Sequence, residues 1–426
     1  MNTKQLIAAI ESGKYTDIFT TLYGAENIEA QNKRYIAAVN EFAHLYGAER
    51  EVSLFSVAGR SEISGNHTDH NYGKVLAASI NLDIIAVASP RDDMKISIKS
   101  EGFPKDVVDI TDPTVDEALY YTSKSIISGM CSGFLKYGHK VGGYDAYTTS
   151  NVFKGSGLSS SAAFEDMVGL ILSGFYNDGQ VENAEIAKIA QYSENVFFGK
   201  PCGLMDQIAC AVGGFVAIDF KNPSEPIIEK LPFNLDAAGY SLCIVNTGGN
   251  HADLNRDYAS VPAEMKKIAS YFGKKVLRDV GLEEIMKNIK ELRAFAGDRA
   301  IMRAIHYINE NERVDMQAKA LKSGDIDAFF DGVLASGNSS FKYLQNVYTV
   351  KNVKEQGISL ALCVAENTLR GKAAAWRVHG GGFAGTIQAF VKNEDVPAFK
   401  KALDNTFGKS ATTVLRVRPY GAIRIE

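Results

Sequence analysis

The chain has 426 residues, a formal net charge of −4, 46% hydrophobic residues and 23% charged residues. This length predicts two domains, because single hydrophobic cores stop growing at about 250–300 residues. The scattered, slightly acidic charge excludes a general basic field, so we expect no nucleic-acid partner. The five cysteines lie far apart with no C-x-x-C pair, which disfavours a disulfide framework or a zinc ribbon and favours a reducing compartment.

The N-terminal stretch is weakly apolar but carries charge at Lys4, Glu11 and Lys14. These charges interrupt the apolar run that a secretory signal peptide needs, so we expect none. The sequence has no run of about 18 apolar residues that could span a membrane. We therefore expect a cytoplasmic protein with no membrane partner.

Helices are predicted over the first 50 residues, where apolar residues recur three or four positions apart. A short strand at 53–57 is predicted to lead into a polar, loop-like segment at 58–71, which apolar runs flank on both sides. Loops held by rigid elements often carry binding groups, so this segment is a candidate site. Another strand is predicted at 84–88.

The rest of the chain mixes strands and helices. The predicted strands are at 95–100 (exposed on one face), 144–152, 213–220, 240–245, 374–379, 411–417 and 423–425. The predicted helices are at 115–135, 186–196 and 396–407, with further helical segments within 261–355. A proline-containing stretch at 221–232 is the candidate domain boundary. Strands and helices do not alternate regularly, which favours an α+β fold over a doubly wound sheet.

A glycine- and serine-rich loop at 155–163 precedes an apolar-periodic helix. Glycines let backbone amides turn toward a ligand, and the start of a helix favours an anion such as phosphate. An N-capped helix after a flexible loop explains the same residues, and both interpretations stay open at this point. The loop is not a Walker A motif, because no Gly-Lys-Ser/Thr ends it.

The polar segment contains His67 and His70 three positions apart, a spacing that raises the possibility of a zinc site. No cysteine partner or H-E-x-x-H helix accompanies them, so a hydroxyl-rich ligand suits the segment better. The structural alternative is a loop whose Asn and Asp side chains bond the backbone of the loop itself, in Asx turns. Asp206 stands near a predicted helix start, where a capping role is the ordinary explanation.

Four segments taken together resemble one family. Residues 59–71, here named the signature segment, resemble G-R-x-x-x-x-G-E-H-T-D-Y-N, and residues 202–207 resemble C-G-I-M-D-Q. With the loops at 155–163 and 380–386, they follow the motif order of the GHMP kinase superfamily and, within it, the galactokinase family. The resemblance implies a two-domain α+β GHMP kinase fold, with an N-terminal domain of the type seen in a small-subunit ribosomal protein and a ferredoxin-like C-terminal domain. We expect these domains at 1–228 and 229–426.

The resemblance also implies a role for individual residues. Asp206 matches the catalytic aspartate that faces the anomeric hydroxyl of the sugar, and Arg60 matches the arginine that pairs with it. Ser159 and Glu194 match the positions that hold Mg²⁺. The positions that match the phosphate-binding loop are Gly155, Ser156, Gly157, Leu158, Ser159, Ser160 and Ser161. The positions that match sugar contacts are Asn66, His67, Asp69, Gly203 and Tyr258.

The signature segment departs from the family pattern. Asn66 stands where the family usually has Glu, His70 where it has Tyr, and residues 61–64 replace Val-Asn-Leu-Ile. Further departures are Ala58 in place of Pro and Ala259-Ser260-Val261-Pro262 in place of a run of arginines. An amide at position 66 cannot make the charge-assisted bond of a carboxylate, so these departures bear on the identity of the sugar.

The implied activity is an ATP-dependent 1-kinase for D-galactose that uses Mg²⁺, with a monomer or weak homo-oligomer expected. Alternatives are a kinase for N-acetylgalactosamine, galacturonate or arabinose, and a non-catalytic sugar-sensing regulator on the same fold. A GHMP kinase acting on mevalonate or homoserine is a further alternative, which the segments around His67 and Asp206 fit less well.

Overall fold

The computed structural model describes residues 1–152, 157–249 and 254–426. The chain divides into two compact units: unit 1 comprises residues 1–60, 79–214 and 418–426, and unit 2 comprises residues 61–78 and 215–417. Each unit is discontinuous in sequence, because β1 (Ser53–Ser64) and β2 (Lys74–Pro90) contribute residues to both. The expected domains at 1–228 and 229–426 remain a prediction.

Unit 1 combines a mostly antiparallel sheet with helices. Its helices are α1 (Thr3–Glu11), α2 (Thr16–Tyr23), α3 (Ile28–Tyr46), α4 (Ser123–Lys136), α5 (Ser160–Tyr176), α6 (Asn183–Tyr192) and α7 (Met205–Val212). Its further strands are β3 (Lys95–Ser100), β4 (Lys105–Asp109), β5 (Tyr144–Ser150) and β12 (Ala422–Ile425). The strand order is β12-β1-β2-β5-β3-β4, and the β3–β5 pair is parallel.

The helices expected in the first 50 residues are confirmed. Asn2 caps α1 with a reciprocal capping box, which satisfies backbone donors at the helix start. The rings of Phe19 and Tyr35 stack with centroids 4.5 Å apart and join a buried cluster that packs against strand residues such as Leu54 and Ile85. This aromatic packing fixes α2 and α3 against the sheet of unit 1.

A buried ionic centre around Asp83 ties distant parts of unit 1 together. The Asp83 carboxylate accepts hydrogen bonds from Arg34 at 2.6 Å, Arg418 at 3.1 Å, Ser56 at 2.5 Å and Tyr23 at 2.5 Å. Burial would raise the pKa of Asp83, but the two arginines outweigh burial and hold it below its ordinary value. The carboxylate therefore stays charged in the core.

Unit 2 contains a second, antiparallel sheet with the order β11-β8-β10-β9. The strands of this sheet are β8 (Tyr240–Asn246), β9 (Ala375–His379), β10 (Thr386–Lys392) and β11 (Thr412–Leu415). Unit 2 also contains β6 (Phe215–Asp219) and β7 (Ile227–Leu231); β6 pairs with residues 74–78 of β2 and with β7. Its helices are α8 (Asn255–Tyr271), α9 (Leu282–Lys287), α10 (Ile289–Ala296), α11 (Asp298–Ser323), α12 (Ile326–Ser339), α13 (Gly357–Leu369) and α14 (Val396–Phe407). Among the helices of the described ranges, none is both long enough and apolar enough to cross a membrane. The mixed α+β class expected from sequence is confirmed.

Several expected boundaries are wrong, and one of them concerns the signature segment. Residues 58–64 belong to β1 and are not loop. The Ser61 hydroxyl donates to Gln388 at 3.0 Å, and the Ile63 carbonyl accepts from Arg377 at 2.8 Å. Partners more than 300 residues away therefore satisfy this polar strand, and no local pattern encodes them.

Three further differences have local causes. The expected strand at 84–88 is part of one long strand, β2. The expected helix at 115–135 begins only at Ser123, where the Thr122 hydroxyl caps it. The expected helix at 186–196 ends at Tyr192 and continues as a π-helix, Ser193–Phe198. Such π-turns are frequent at functional sites.

We expect Asp83→Asn to lower the free energy of unfolding by about 3–5 kcal/mol, because buried Arg34 and Arg418 would lose their anion. Urea unfolding followed by circular dichroism measures the change. Asp93→Asn is the matched control: its ion pair with Arg91 is partly exposed, so the expected loss is much smaller. Equal losses in the two variants would contradict the central role of Asp83.

Candidate active site

In unit 1, β1 and α7 bring Arg60 and Asp206 into a two-pronged ion pair. Arg60 Nε donates to Asp206 Oδ1 and Arg60 Nη2 donates to Asp206 Oδ2, each at 2.8 Å. A third guanidinium nitrogen, Nη1, donates to the Gly157 carbonyl. This fork geometry fixes the guanidinium and carboxylate planes relative to each other.

The capping explanation for Asp206 is wrong. α7 begins at Met205 with Leu204 at the N-cap, so Asp206 is the second helical residue. Its carboxylate binds Arg60 and accepts a hydrogen bond from the Ser159 hydroxyl at 2.6 Å. Burial would raise the pKa of Asp206, but Arg60 and Ser159 outweigh burial and hold it below its ordinary value. Asp206 is therefore ionised at neutral pH.

The serine-rich loop turns sharply before α5. Ser159 has φ 60° and ψ 54°, a left-handed conformation that is uncommon outside glycine. Its hydroxyl makes no capping bond to the helix and instead contacts Asp206. Leu158 is buried, and its carbonyl accepts from the Arg60 amide at 3.1 Å. The sequence left two interpretations of this loop open, an anion site and an N-capped helix. The Ser159 side chain forms no cap, which does not support the second interpretation.

The remaining loop positions divide into two groups. Gly157 has φ 71°, and Ser160 and Ser161 form the first turn of α5. At a helix start the first amides lack intrahelical partners, which makes this turn suited to an anion. Gly155 and Ser156 lie outside the described residues.

Glu194 lies in the π-helix that follows α6, beside other polar groups. Its Oε1 accepts from Lys200 at 3.2 Å, and its Oε2 accepts from Gln207 Nε2 at 3.1 Å. The same Gln207 nitrogen donates to Glu165 at 3.0 Å. Burial and the neighbouring Glu194 raise the pKa of Glu165 to about 8.

In the described part of the chain, no three His, Cys, Asp or Glu side chains converge as a metal site. The structure therefore offers no support for a zinc site at His67 and His70.

In unit 2, the side chain of Asn66 is buried and bonded on both sides. Its Nδ2 donates to Glu62 Oε1 at 2.8 Å and to the Gly380 carbonyl at 2.7 Å. Its Oδ1 accepts from Asn346 Nδ2 at 2.7 Å. Asn66 therefore joins the signature segment to the 380–386 loop.

His67 and Tyr258 hold the next part of that loop. His67 has φ 60°, and its Nε2 lies 2.9 Å from the Gly381 carbonyl. Burial lowers the pKa of His67, which favours the neutral ring. The Tyr258 hydroxyl donates to the Gly382 carbonyl at 2.9 Å. A Cβ at Gly382 would lie 2.0 Å from the Asn346 carbonyl, so only glycine fits there.

The other two expected sugar-contacting residues are Asp69 and Gly203. Asp69 opens a short 3-10 helix, Asp69–Asn71, in unit 2. Gly203 is exposed in the turn before α7, in unit 1.

Sequence reasoning missed His306 and Glu310, which support the signature segment from α11. His306 Nε2 lies 3.0 Å from the Asn66 carbonyl, and Glu310 Oε1 accepts from the Gly65 amide at 3.0 Å. Both side chains are fully buried. Burial would raise the pKa of Glu310, but His306 and nearby Arg313 lower it to about 2. In the sequence, His306 and Glu310 appear only as two polar residues four positions apart. A solvent-exposed helix face has the same spacing, so this pattern does not identify them.

Two family models match the chain: the GHMP kinases N terminal domain over residues 125–214 and the galactokinase galactose-binding signature over residues 40–90. The mevalonate kinase of Methanococcus jannaschii shares the fold, with a TM-score of 0.60 at 14% identity over 86% of this chain and 98% of that one. Fold and matched domain together define a GHMP kinase.

Proteins of higher sequence identity show which family of GHMP kinases the chain belongs to. The galactokinase of Streptomyces coelicolor is 30% identical over 381 residues, 88% of this chain and 94% of that protein. That of Lactobacillus helveticus is 31% identical over 386 residues, covering 88% and 92%. The crystal structure of Lactococcus lactis galactokinase complexed with galactose matches with a TM-score of 0.73 at 25% identity, covering 90% and 98%. The chain belongs to the galactokinase family.

A pH-dependent stability is expected from His306. Burial, with nearby Arg313 and Arg377, lowers its pKa to about 4, although Glu310 opposes this shift. Between pH 6.5 and 4 the unfolded chain binds a proton that the folded chain does not, so stability falls as pH falls. This residue alone should remove about 2 kcal/mol of unfolding free energy between pH 7 and pH 5.

Urea unfolding at a series of pH values tests this expectation against His306→Gln, which cannot titrate. The variant should show a shallower decline toward pH 5, whatever its stability at pH 7. Parallel declines in the two proteins would show that His306 is not the titrating group.

Proposed function

We propose that this protein transfers the γ-phosphate of ATP to the anomeric hydroxyl of D-galactose, giving α-D-galactose 1-phosphate and ADP. The observation that carries the proposal is the Arg60–Asp206 pair with Ser159 beside it, in a member of the galactokinase family. An ionised carboxylate held by a fixed cation is what phosphoryl transfer to a hydroxyl requires.

This geometry supports the proposed catalytic roles. Asp206, kept ionised by Arg60, accepts the hydrogen of the sugar hydroxyl and orients its oxygen for attack. Arg60 keeps Asp206 from protonation, and its charge also stabilises negative charge that develops on the transferred group. How far the proton has moved at the transition state depends on how loose that state is.

The phosphate groups of ATP are assigned to the serine-rich loop, Gly155 to Ser161. Support comes from the amides of the first turn of α5 and from the left-handed turn at Ser159, which directs the chain into that helix. Gly155 and Ser156 are included on the sequence pattern alone.

Mg²⁺ is assigned to Ser159 and Glu194. A hydroxyl and a carboxylate are suitable donors, because Mg²⁺ prefers oxygen ligands and keeps several waters. Both Glu194 oxygens accept hydrogen bonds, from Lys200 and from Gln207, so Mg²⁺ at this carboxylate would take the place of the Lys200 ammonium. When bound, the ion would neutralise charge on the ATP phosphates.

The sugar is assigned to His67, Asp69, Gly203 and Tyr258. The neutral ring of His67 and the Asp69 carboxylate offer mixed donors and acceptors for hydroxyl groups. Asn66, the fifth expected contact, has an amide already engaged by protein groups.

A non-catalytic sugar sensor is the rival in another class. Such a protein has no need to retain Arg60, Asp206 and Ser159 in mutual contact, so their contacts favour turnover. We also propose a cytoplasmic location, which the five free cysteines support, and a monomer or weak homo-oligomer.

Asp206→Asn should lower kcat for galactose roughly 10²- to 10⁴-fold, because the amide keeps the shape of the side chain but accepts no proton. A coupled assay of ADP release measures the rate. Asp331→Asn, an exposed position on α12, is the control and should keep full activity. Wild-type turnover by the Asp206 variant would refute its catalytic role.

With ATP and Mg²⁺, galactose should give a higher kcat/KM than N-acetylgalactosamine, galacturonate, arabinose or glucose. Chelation of Mg²⁺ should abolish turnover, and phosphorus NMR should place the phosphate on the α-anomeric carbon. Reactions without sugar give the background ATP hydrolysis. Absence of ADP release with every sugar would refute the kinase proposal.

A further inference from the structure

The sheet of unit 1 ends on one side at β4. In the described part of the chain β4 pairs with β3 alone, at the end of the strand order β12-β1-β2-β5-β3-β4. The last strand of a sheet presents a row of backbone N–H and C=O groups that no neighbouring strand uses. Such a row can pair with a further extended strand.

The register between β3 and β4 shows which backbone groups form this row. The Ile110 amide donates to the Met94 carbonyl at 2.9 Å, and these two residues continue the antiparallel register of the ladder. Hydrogen-bonded and non-hydrogen-bonded pairs alternate along an antiparallel ladder. Residues 106 and 108 therefore bond to β3, whereas the N–H and C=O groups of residues 105, 107 and 109 point away from it.

The side chains of these three residues share one face of the strand. Lys105 and Asp109 are exposed, and Val107 is 50% exposed. The opposite face is packed, since Val108 is buried and Asp106 accepts a hydrogen bond from a serine hydroxyl of α4. The same three residues thus supply both the outward backbone groups and the exposed face of β4.

Along this face a cation, an apolar side chain and an anion follow one another. Lys105 lies opposite Lys99 on β3, and like charges directly opposite each other are destabilising. Asp109 lies opposite Lys95. A second β4 strand, antiparallel to the first and centred on Val107, would place its Asp109 opposite Lys105 and its Lys105 opposite Asp109. In this register the strand is complementary to itself.

The contacts that Lys105 and Asp109 make within the chain leave both groups able to bind a further partner. Lys105 Nζ lies 5.2 Å from the centre of the Tyr46 ring, a cation–π contact that uses none of its N–H donors in a hydrogen bond to an oxygen. Asp109 Oδ1 accepts from the Thr111 amide at 3.0 Å and from its hydroxyl at 2.6 Å. These bonds hold the pKa of Asp109 below its ordinary value, so the carboxylate is charged.

We infer that this protein forms a two-fold symmetric homodimer in which the β4 strands of two copies pair antiparallel about Val107. The outward N–H and C=O groups of residues 105, 107 and 109 then bond to those of residues 109, 107 and 105 of the second copy. Opposite charges meet at both ends, which selects a second copy over a strand with other charges. The inference goes beyond the proposed function and assigns the interface of the homo-oligomer. Each strand contributes 5 residues, a small contact, so we expect the dimer to dissociate on dilution.

Val107→Pro removes the central outward N–H without breaking a bond to β3, and proline is tolerated at such edge positions. In sedimentation velocity over a concentration series, the wild-type protein should dimerise reversibly and this variant should stay monomeric. Circular dichroism checks that the variant is folded.

Val414→Pro is the matched control. Val414 is exposed on β11, the edge strand of the sheet in unit 2. Its amide also points away from the sheet, because the Asn246 amide bonds to the Ala411 carbonyl in the same register. This variant should dimerise like the wild-type protein.

Exchanging the charges tests the register without proline. Lys105→Asp gives an edge with two anions, and Asp109→Lys gives an edge with two cations. Each variant alone should raise the dissociation constant of the dimer about tenfold or more, because the like charges meet twice in a symmetric dimer. Mixed in equal amounts, the two variants should form a heterodimer about as stable as the wild-type dimer, since every opposed pair again has opposite signs.

A wild-type protein that stays monomeric up to about 1 mM would overturn the inference. A dimer that Val107→Pro leaves equally stable would place the interface elsewhere, with the same consequence. Charge variants that dimerise like the wild type, or that form no heterodimer on mixing, would show that the proposed register is wrong. None of these results bears on turnover, which the assay of ADP release measures separately, so either proposal can fail while the other stands.

Discussion

The two-pronged ion pair between Arg60 and Asp206 is the interaction on which the candidate active site depends. The Arg60 side chain is 10% exposed and the Asp206 side chain 36%, so both charges are partly removed from water. Their attraction repays the cost of this removal only when the geometry is good and the remaining hydrogen-bonding groups are used. Both conditions hold, since the guanidinium also donates to the Gly157 carbonyl and the carboxylate also accepts from Ser159. The pair thereby joins β1, the serine-rich loop and α7 into one arrangement within unit 1.

In unit 2 the signature segment depends on buried polar side chains rather than on its own loop chemistry. Glu310 holds the Gly65 amide, His306 holds the Asn66 carbonyl and Asn346 holds the Asn66 side chain. A buried polar group without a partner costs about 1–3 kcal/mol, so each of these hydrogen bonds stabilises the segment. The same network fixes the backbone next to His67, which is the condition for precise recognition of a ligand.

Much of the fold and of the catalytic half of the site could be predicted. Helix signals in the first 50 residues, the mixed α+β class and the approximate positions of most strands are local properties, and the structure confirms them. The resemblance predicted a phosphate-transfer role for Arg60, Ser159 and Asp206, and in the structure Asp206 bonds to both of the others. Where a single pattern was ambiguous, as for a capping role of Asp206, local reasoning favoured the wrong alternative.

The sequence by itself determined the family, the order of the motifs and the type of chemistry, because these depend on residue identity at fixed spacing. Only the tertiary structure decided which side chains of the signature segment are bonded to distant protein groups. It turned residues 58–64 into strand and buried Asn66 against Asn346, 280 positions away. Hydrogen bonds across such separations leave no periodicity in the chain, so only folding reveals which polar groups are already satisfied.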